Sequence, residues 1–224
     1  MYPIVINNRN RLTTTKNMVD KLLALNNNEE IIIIDNGSTY EPLLEWYYSI
    51  QDKVEVIWGK NQGHLALWAI GLNKQLPELF VYTDSDIELN ADFPENWKQI
   101  MSNVYYKFGF NKVGLGIKID DIPDHYRYKN QVIRNEGRWW LNEIDKDIYT
   151  ADTDTTFCLI KNIGDNPYKS VRVCSDNMIS RHAPWYINLD NLDEEEKFYL
   201  ENHDNFFTTQ YTKQHIEPTK FTDI

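Results

Sequence analysis

Two carboxylates separated by one residue, Asp84-Ser85-Asp86, close the apolar run Leu79-Phe80-Val81-Tyr82. Aspartate oxygens are hard ligands, and a pair presented at the end of a buried strand suits magnesium or manganese. A divalent ion held there would neutralise a diphosphate and stabilise it as a leaving group. In isolation, an acidic turn that merely caps the next segment would read the same way. Three further polar clusters therefore matter: 7–10, 35–38 and 61–63 also follow apolar runs. Ligands in open α/β sheets bind beyond the carboxyl ends of the strands, so four such clusters in succession mark one candidate edge.

Within those clusters, Asn7, Arg9, Asp35, Asn61, Gly63, Asp84 and Ser85 are the candidate contacts to a nucleotide-bearing ligand. Asp35 can accept from the imide N–H of a uracil, while Gly37 lets the chain turn away tightly. The same residues also suit an Asx turn or a helix N-cap. Arg9 offers a cation to a base or to phosphates, or is a surface charge on an acidic edge. His182, in Arg181-His182-Ala183-Pro184-Trp185-Tyr186, is a candidate third metal ligand beside Asp84 and Asp86. Arg181 could instead meet diphosphate oxygens.

Displacement at a sugar carbon needs a carboxylate within reach of the attacking hydroxyl. The stretch 149–157 offers Asp154, which heads a strand-like run, and Asp152 as second choice; both could equally be turn residues. Trp139, Trp140 and Trp185 can offer flat faces to an acceptor sugar, unless they are core.

Strand and helix signals alternate four times over residues 1–90, which predicts an α/β fold with a mostly parallel sheet. Ile4-Val5-Ile6, Ile31 to Ile34, Val54 to Trp58 and Leu79 to Tyr82 read as strands. The unbroken apolarity of Ile31 to Ile34 marks a strand buried on both faces. Helices are expected from about Thr14, over Glu41 to Ile50 and over about His64 to Leu76. Further on, Phe93 to Tyr106 reads as helix and Val113 to Ile117 as strand. Asp120 to Trp140 lacks a period and is expected to be a long loop or flap. Strands follow at Asp154 to Lys161 and Ser170 to Val173, then a helix over Asp193 to Gln210. The expected organisation is one domain over 1–224: a donor half, 1–90, an acceptor and catalytic half, 91–192, and a C-terminal helix and tail, 193–224.

A net charge of -11 over 224 residues argues against nucleic acid as a partner. A 13% aromatic share exceeds what the core needs and is consistent with rings on a binding surface. Cys158 and Cys174 form no C-x-x-C pair and read as reduced thiols. With no signal peptide and no transmembrane stretch in the sequence, a cytoplasmic location is expected, peripheral membrane association being left open.

Taken together, Ile4-Val5-Ile6-Asn7-Asn8-Arg9-Asn10, Asp35-Asn36-Gly37-Ser38-Thr39, Asn61-Gln62-Gly63 and Asp84-Ser85-Asp86 resemble the donor half of family-2-like GT-A glycosyltransferases. Thr153-Asp154-Thr155-Thr156-Phe157 and Arg181-His182-Ala183-Pro184-Trp185-Tyr186 resemble motifs of a subgroup of small bacterial and viral enzymes. The resemblance implies a GT-A (Rossmann-like) fold, a nucleoside-diphosphate sugar donor such as a UDP-sugar, and a divalent cation, Mn2+ or Mg2+. It implies Asp35 at the base, Asp84 at the ribose and metal, Asp86 as main metal ligand and His182 as a further metal or phosphate contact. The usual acidic Glu-Asp catalytic motif is absent, and Asp154 occupies the nearest comparable place. Sugar transfer, with inversion, to a glycan, lipid-linked or protein acceptor is the expected activity. A sugar-phosphate nucleotidyltransferase fits less well, because no glycine-rich loop follows the first strand. A non-catalytic carbohydrate-binding protein on the same fold is the remaining alternative.

Overall fold

In a computed structural model of the chain, the described residues are 2–25, 30–153, 155–167 and 169–202. The chain begins as β1 (Ile4–Asn8), α1 (Thr13–Ala24), β2 (Ile31–Asp35), α2 (Glu41–Ser49) and β3 (Glu55–Trp58). A short helix α3 (Ala66–Ala69), flanked by 3-10 turns, leads to β4 (Leu79–Asp84) and β5 (Ile87–Leu89). The long α4 (Trp97–Phe108), β6 (Lys112–Ile117) and α5 (Lys129–Gly137) follow. Five short strands then come in order: β7 (Glu143–Asp145), β8 (Ile148–Thr150), β9 (Cys158–Lys161), β10 (Val171–Val173) and β11 (Ile179–His182). The last described element is α6 (Glu194–Glu201).

All eleven described strands join one sheet, with the order β3-β2-β1-β4-β9-β6-β10-β8-β7 and with β11 linking β5 to β6. The first four strands are mutually parallel, as the strand–helix alternation predicts. Antiparallel pairs enter with β9, which runs between β4 and β6. Alternation within β1 and β2 divides the core. Ile4, Ile6, Ile31 and Ile33 pack with Met18, Val19 and Leu22 of α1 and with Leu43 and Tyr47 of α2. Val5, Ile32 and Ile34 face the other way, onto Ala66, Leu67 and Leu72. Helices on both faces explain why these strands are apolar throughout.

Two stretches depart from the sequence reading. The helix expected over about His64 to Leu76 is broken, because Gly71 takes a left-handed conformation at φ 74° and restarts the chain as a 3-10 turn. The expected flap at Asp120 to Trp140 contains α5 and a 3-10 turn, and Val132 is buried there with Ile117, Ile122, Tyr126 and Trp185. Its period was hidden because only Val132 of the nine helical residues is fully buried. The helix expected over Asp193 to Gln210 is present as α6, and residues beyond 202 lie outside the described ones. Among the described residues, no helix is long and apolar enough to cross a membrane.

Two sets of contacts hold the second half together. At Gly114 in β6, an added Cβ would lie 2.8 Å from Thr153 Cβ and 2.9 Å from Cys158 Sγ; at Gly116 it would lie 2.6 Å from Cys174 Sγ. The missing side chain at Gly114 therefore lets Thr153 lie directly on the strand. Beyond β6, Asp121 receives hydrogen bonds from Arg181 Nε at 2.9 Å and from the Tyr186 hydroxyl at 2.5 Å. That carboxylate braces both ends of the segment containing His182.

Gly114→Ala should destabilise the fold by about 1–3 kcal/mol through overpacking. Gly137→Ala, where nothing lies within 4 Å and the backbone is already helical, should be neutral or up to about 1 kcal/mol stabilising. Urea midpoints of the two variants check the contrast. For Asp121, burial alone would raise the carboxyl pKa, but the hydrogen bonds from Arg181 and Tyr186 outweigh it and hold the group below its usual range. Such a group stabilises the fold above its unfolded value and loses that contribution as pH falls through the folded one. The melting temperatures of wild type and Asp121→Asn should therefore converge as pH falls from about 5 to about 3; a gap that stays constant would show that the ionised pair contributes nothing.

Candidate functional site

Parallel pairing puts the strand ends in register. Asn7 stands opposite Ile34 on one side and Asp84 on the other, and Asn8 opposite Asp35. The four polar clusters named from the sequence therefore do share one edge of the sheet. Side-chain amides tie them together: Asn7 and Asn36 both donate to the Gly63 carbonyl, at 3.1 and 2.9 Å. Asn36 also accepts from Gln62 N at 2.7 Å, and Asn61 accepts from Gly63 N at 3.1 Å. Gly37, at φ 79°, is the residue that permits this, since a Cβ there would sit 3.0 Å from Asn61 N.

Asp35 is 3% exposed. One of its oxygens accepts from Ser38 N at 3.1 Å, while Oδ1 is buried without a hydrogen-bond partner. Burial pushes its carboxyl pKa up, with the Ser38 and Gly37 contacts and the Arg9 charge opposing. A buried acceptor left open costs about 1–3 kcal/mol, so Oδ1 marks a place for an external donor. Arg9 reaches the backbone carbonyl of Asn202 at 3.3 Å, and its Nε is likewise buried and unpartnered.

The two aspartates of Asp84-Ser85-Asp86 take different roles. Asp84 is bound into the fold, accepting the Thr155 hydroxyl through Oδ2 and standing 3.5 Å from Asn7 Nδ2. Ser85 is buried, its N–H donating to the Asn7 carbonyl at 3.1 Å. Asp86 projects toward His182: antiparallel pairing of β5 with β11 sets His182 opposite Ile87, and Ala183 N donates to the Asp86 carbonyl at 2.9 Å. Asp86 Oδ2 lies 3.5 Å from His182 Nε2, and Oδ1 is buried without a partner. Burial would raise the Asp86 carboxyl, but His182 first and Arg11 after it bring it below the usual range, keeping it anionic. An imidazole and a carboxylate so placed, with an acceptor oxygen open, fit the donor set of a manganese or magnesium ion. Among the described residues no group of three or more His, Cys, Asp or Glu side chains is gathered for a metal.

Arg181, one candidate for the diphosphate, is engaged by Asp121 instead. Trp185 is 3% exposed in the small core cluster, its ring 4.8 Å from that of His182, so it backs the imidazole and offers no face to a sugar. Trp140 packs on Tyr149 at 5.5 Å. Trp139 does border a cavity of about 490 Å³, together with His64, Glu136, Arg138, Asp152 and Thr153. That cavity adjoins the site on two sides, since His64 follows Gly63 and Thr153 lies two residues before Thr155. Asp152 is exposed at its rim and its carbonyl accepts from Arg172 Nε at 2.7 Å. Asp154 lies outside the described residues. Just after it, Phe157 adopts φ 41°, a strained conformation for an aromatic residue, held by a hydrogen bond from its N–H to Thr83 Oγ1 and by ring contacts to Phe93 and Trp97.

Sequence reasoning missed how α6 closes this edge. Glu195 accepts from Leu12 N at 2.9 Å and from the Thr13 N–H and hydroxyl, capping α1 from another part of the chain. Glu196 pairs with Arg11, whose guanidinium lies 3.6 Å over the Tyr199 ring, and Phe198 packs against Tyr40 with tilted rings 5.0 Å apart. The only signal was the acidic start Asp193-Glu194-Glu195-Glu196, which reads equally well as an ordinary N-terminal turn.

No curated protein matches the chain in sequence. Among solved structures, it is similar to a mannosyltransferase from Pyrobaculum calidifontis in complex with GDP-Man and Mn2+, at 9% identity and a TM-score of 0.46. That match covers 89% of this chain and 59% of the other, so the chain spans well under two thirds of that protein's length. It is also similar to residues 1–349 of S. aureus TarS, at 12% identity and a TM-score of 0.42, covering 98% of this chain and 72% of that one. A mycobacterial protein is similar at 11% identity and 0.48, covering 88% and 69%. The assignment rests on sequence rather than on these distant likenesses: the model described as Glycosyl transferase family 2 matches residues 4–153, about two thirds of the chain, and the chain belongs to that family.

Proposed function

We propose that the chain transfers a sugar, with inversion, from a UDP-sugar to an acceptor hydroxyl, using a divalent cation. The observation that carries this reading is the pair of open, buried acceptors at one sheet edge, Asp35 Oδ1 and Asp86 Oδ1. The first suits the imide N–H of a uracil. The second, beside His182, suits a cation that accompanies a diphosphate. Asp86 and His182 are the residues that would hold manganese or magnesium, with Asp84 positioning the turn from its bond to Thr155. When bound, the ion supplies charge neutralisation for the departing diphosphate.

The cavity bordered by Trp139 and Asp152 is the acceptor side of this reading, and it suits a glycan or the glycosyl part of a lipid-linked or protein acceptor. Asp154 is our choice of base, with Asp152 second. Its chain neighbours support it: Thr153 borders the cavity and packs on Gly114, and Thr155 bonds Asp84. The chosen carboxylate takes the hydroxyl proton as the oxygen attacks the anomeric carbon, and UDP leaves. A cytoplasmic place of action, where nucleotide sugars are made, belongs to the same proposal.

Calorimetric titration of UDP with and without manganese tests the donor site. Binding should require the metal and be lost in a folded Asp86→Ala protein; metal-independent binding unchanged in that variant would refute the assignment. Asp154→Asn should lower kcat by at least about a hundredfold while leaving UDP affinity intact. If Asp152→Asn shows that loss and Asp154→Asn does not, the order of the two candidates is reversed.

A further inference from the structure

Arg11 was not among the sequence candidates, yet it is the cation set deepest at the donor edge, 6% exposed in the turn that follows β1. Two contacts hold it, both from α6. Its Nη1 donates to Glu196, and its guanidinium lies flat over Tyr199. Its Nε is buried without a partner, and so is the second oxygen of Glu196. The ion pair is therefore incomplete on both sides: five N–H donors and a carboxylate are buried together, but each keeps unfilled capacity.

Burial lowers the Arg11 pKa, but Glu196, Tyr199 and then Asp86 outweigh it, so the guanidinium lies within the electrostatic reach of the residue that holds the cation in the donor reading. A diphosphate chelated near Asp86 would bring oxygens toward a planar fork suited to two of them at once. Glu196 is the nearest thing to such an anion in the protein itself. Burial raises its carboxyl pKa and Arg11 only opposes the rise, so the internal anion is not fully compensated where it sits.

We propose that Arg11 binds the donor's diphosphate, and that Glu196 of α6 occupies the phosphate's place on Arg11 until the donor displaces it. This rests on the donor-site reading given above. Glu196 then competes with the substrate from within the chain, while Glu195, one residue earlier, keeps α6 attached through the N-terminus of α1. Arg11 contributes affinity for the phosphates and none for the base, whereas Asp35 does the converse.

Titrating UDP and uridine, each with manganese, into wild type, Glu196→Gln and Arg11→Lys separates these roles. Glu196→Gln should bind UDP at least about threefold more tightly, and Arg11→Lys about tenfold more weakly, as a lost bidentate charge-assisted contact requires. Uridine affinity should not change in either. If both variants keep the wild-type ratio of UDP to uridine affinity, Arg11 does not meet the phosphates and the inference fails while the donor site stands. If wild type itself gains nothing from the diphosphate over uridine, the donor reading falls and this one with it. Thermal melts identify a variant that does not fold, and should Arg11→Lys be one, the Glu196→Gln ratio decides alone.

Discussion

The parallel pairing of β1 with both β2 and β4 is the constraint on which the site depends. Because β1 lies between its two neighbours in fixed register, residues distant in sequence finish their strands at one level. A slip of one residue would turn every alternate side chain to the opposite face and exchange the two halves of the core. Ile4 and Ile6 pack on α1 and α2 while Val5 packs below α3, so the apolar pattern leaves one acceptable register. The positions of Asn7, Asp35 and Asp84 thus follow from where isoleucine and valine must be buried.

Onto this edge the second half of the chain delivers two groups by different means. His182 arrives on a strand, β11, and its height is set by pairing with β5 and by the Asp121 brace. Residues 151–153 arrive as irregular backbone, and Thr153 can approach β6 because the strand carries glycine at 114. The strain at Phe157 is balanced by the contacts with Phe93 and Trp97. The sheet edge with Asp35 and Asp86 is therefore built on regular strands, and the neighbouring cavity on a segment held by packing.

The donor half was legible because its signals are local. Ile31 to Ile34 can only be a doubly buried strand, and Asp84-Ser85-Asp86 follows such a strand directly. Most short elements were not legible: β5, β7, β8 and β11 have three or four residues each, too few for a period, and they exist because neighbours supply their hydrogen bonds. Trp185 could not be told from a binding ring, since only its burial with Ile122 and Tyr126 decides the matter. Arg11 and Glu196 escaped for a related reason: each is ordinary in its own segment, and their contact spans 185 positions.

That span bears on how the protein is made. The contacts of α6 with this edge join residues 11–13 to residues 195–196, so in a chain emerging N-terminus first they form only after everything between has been made. The parallel core can assemble while Arg11 has no counter-ion and α1 has no cap at its N-terminus. During synthesis this sheet edge is thus exposed before α6 closes it.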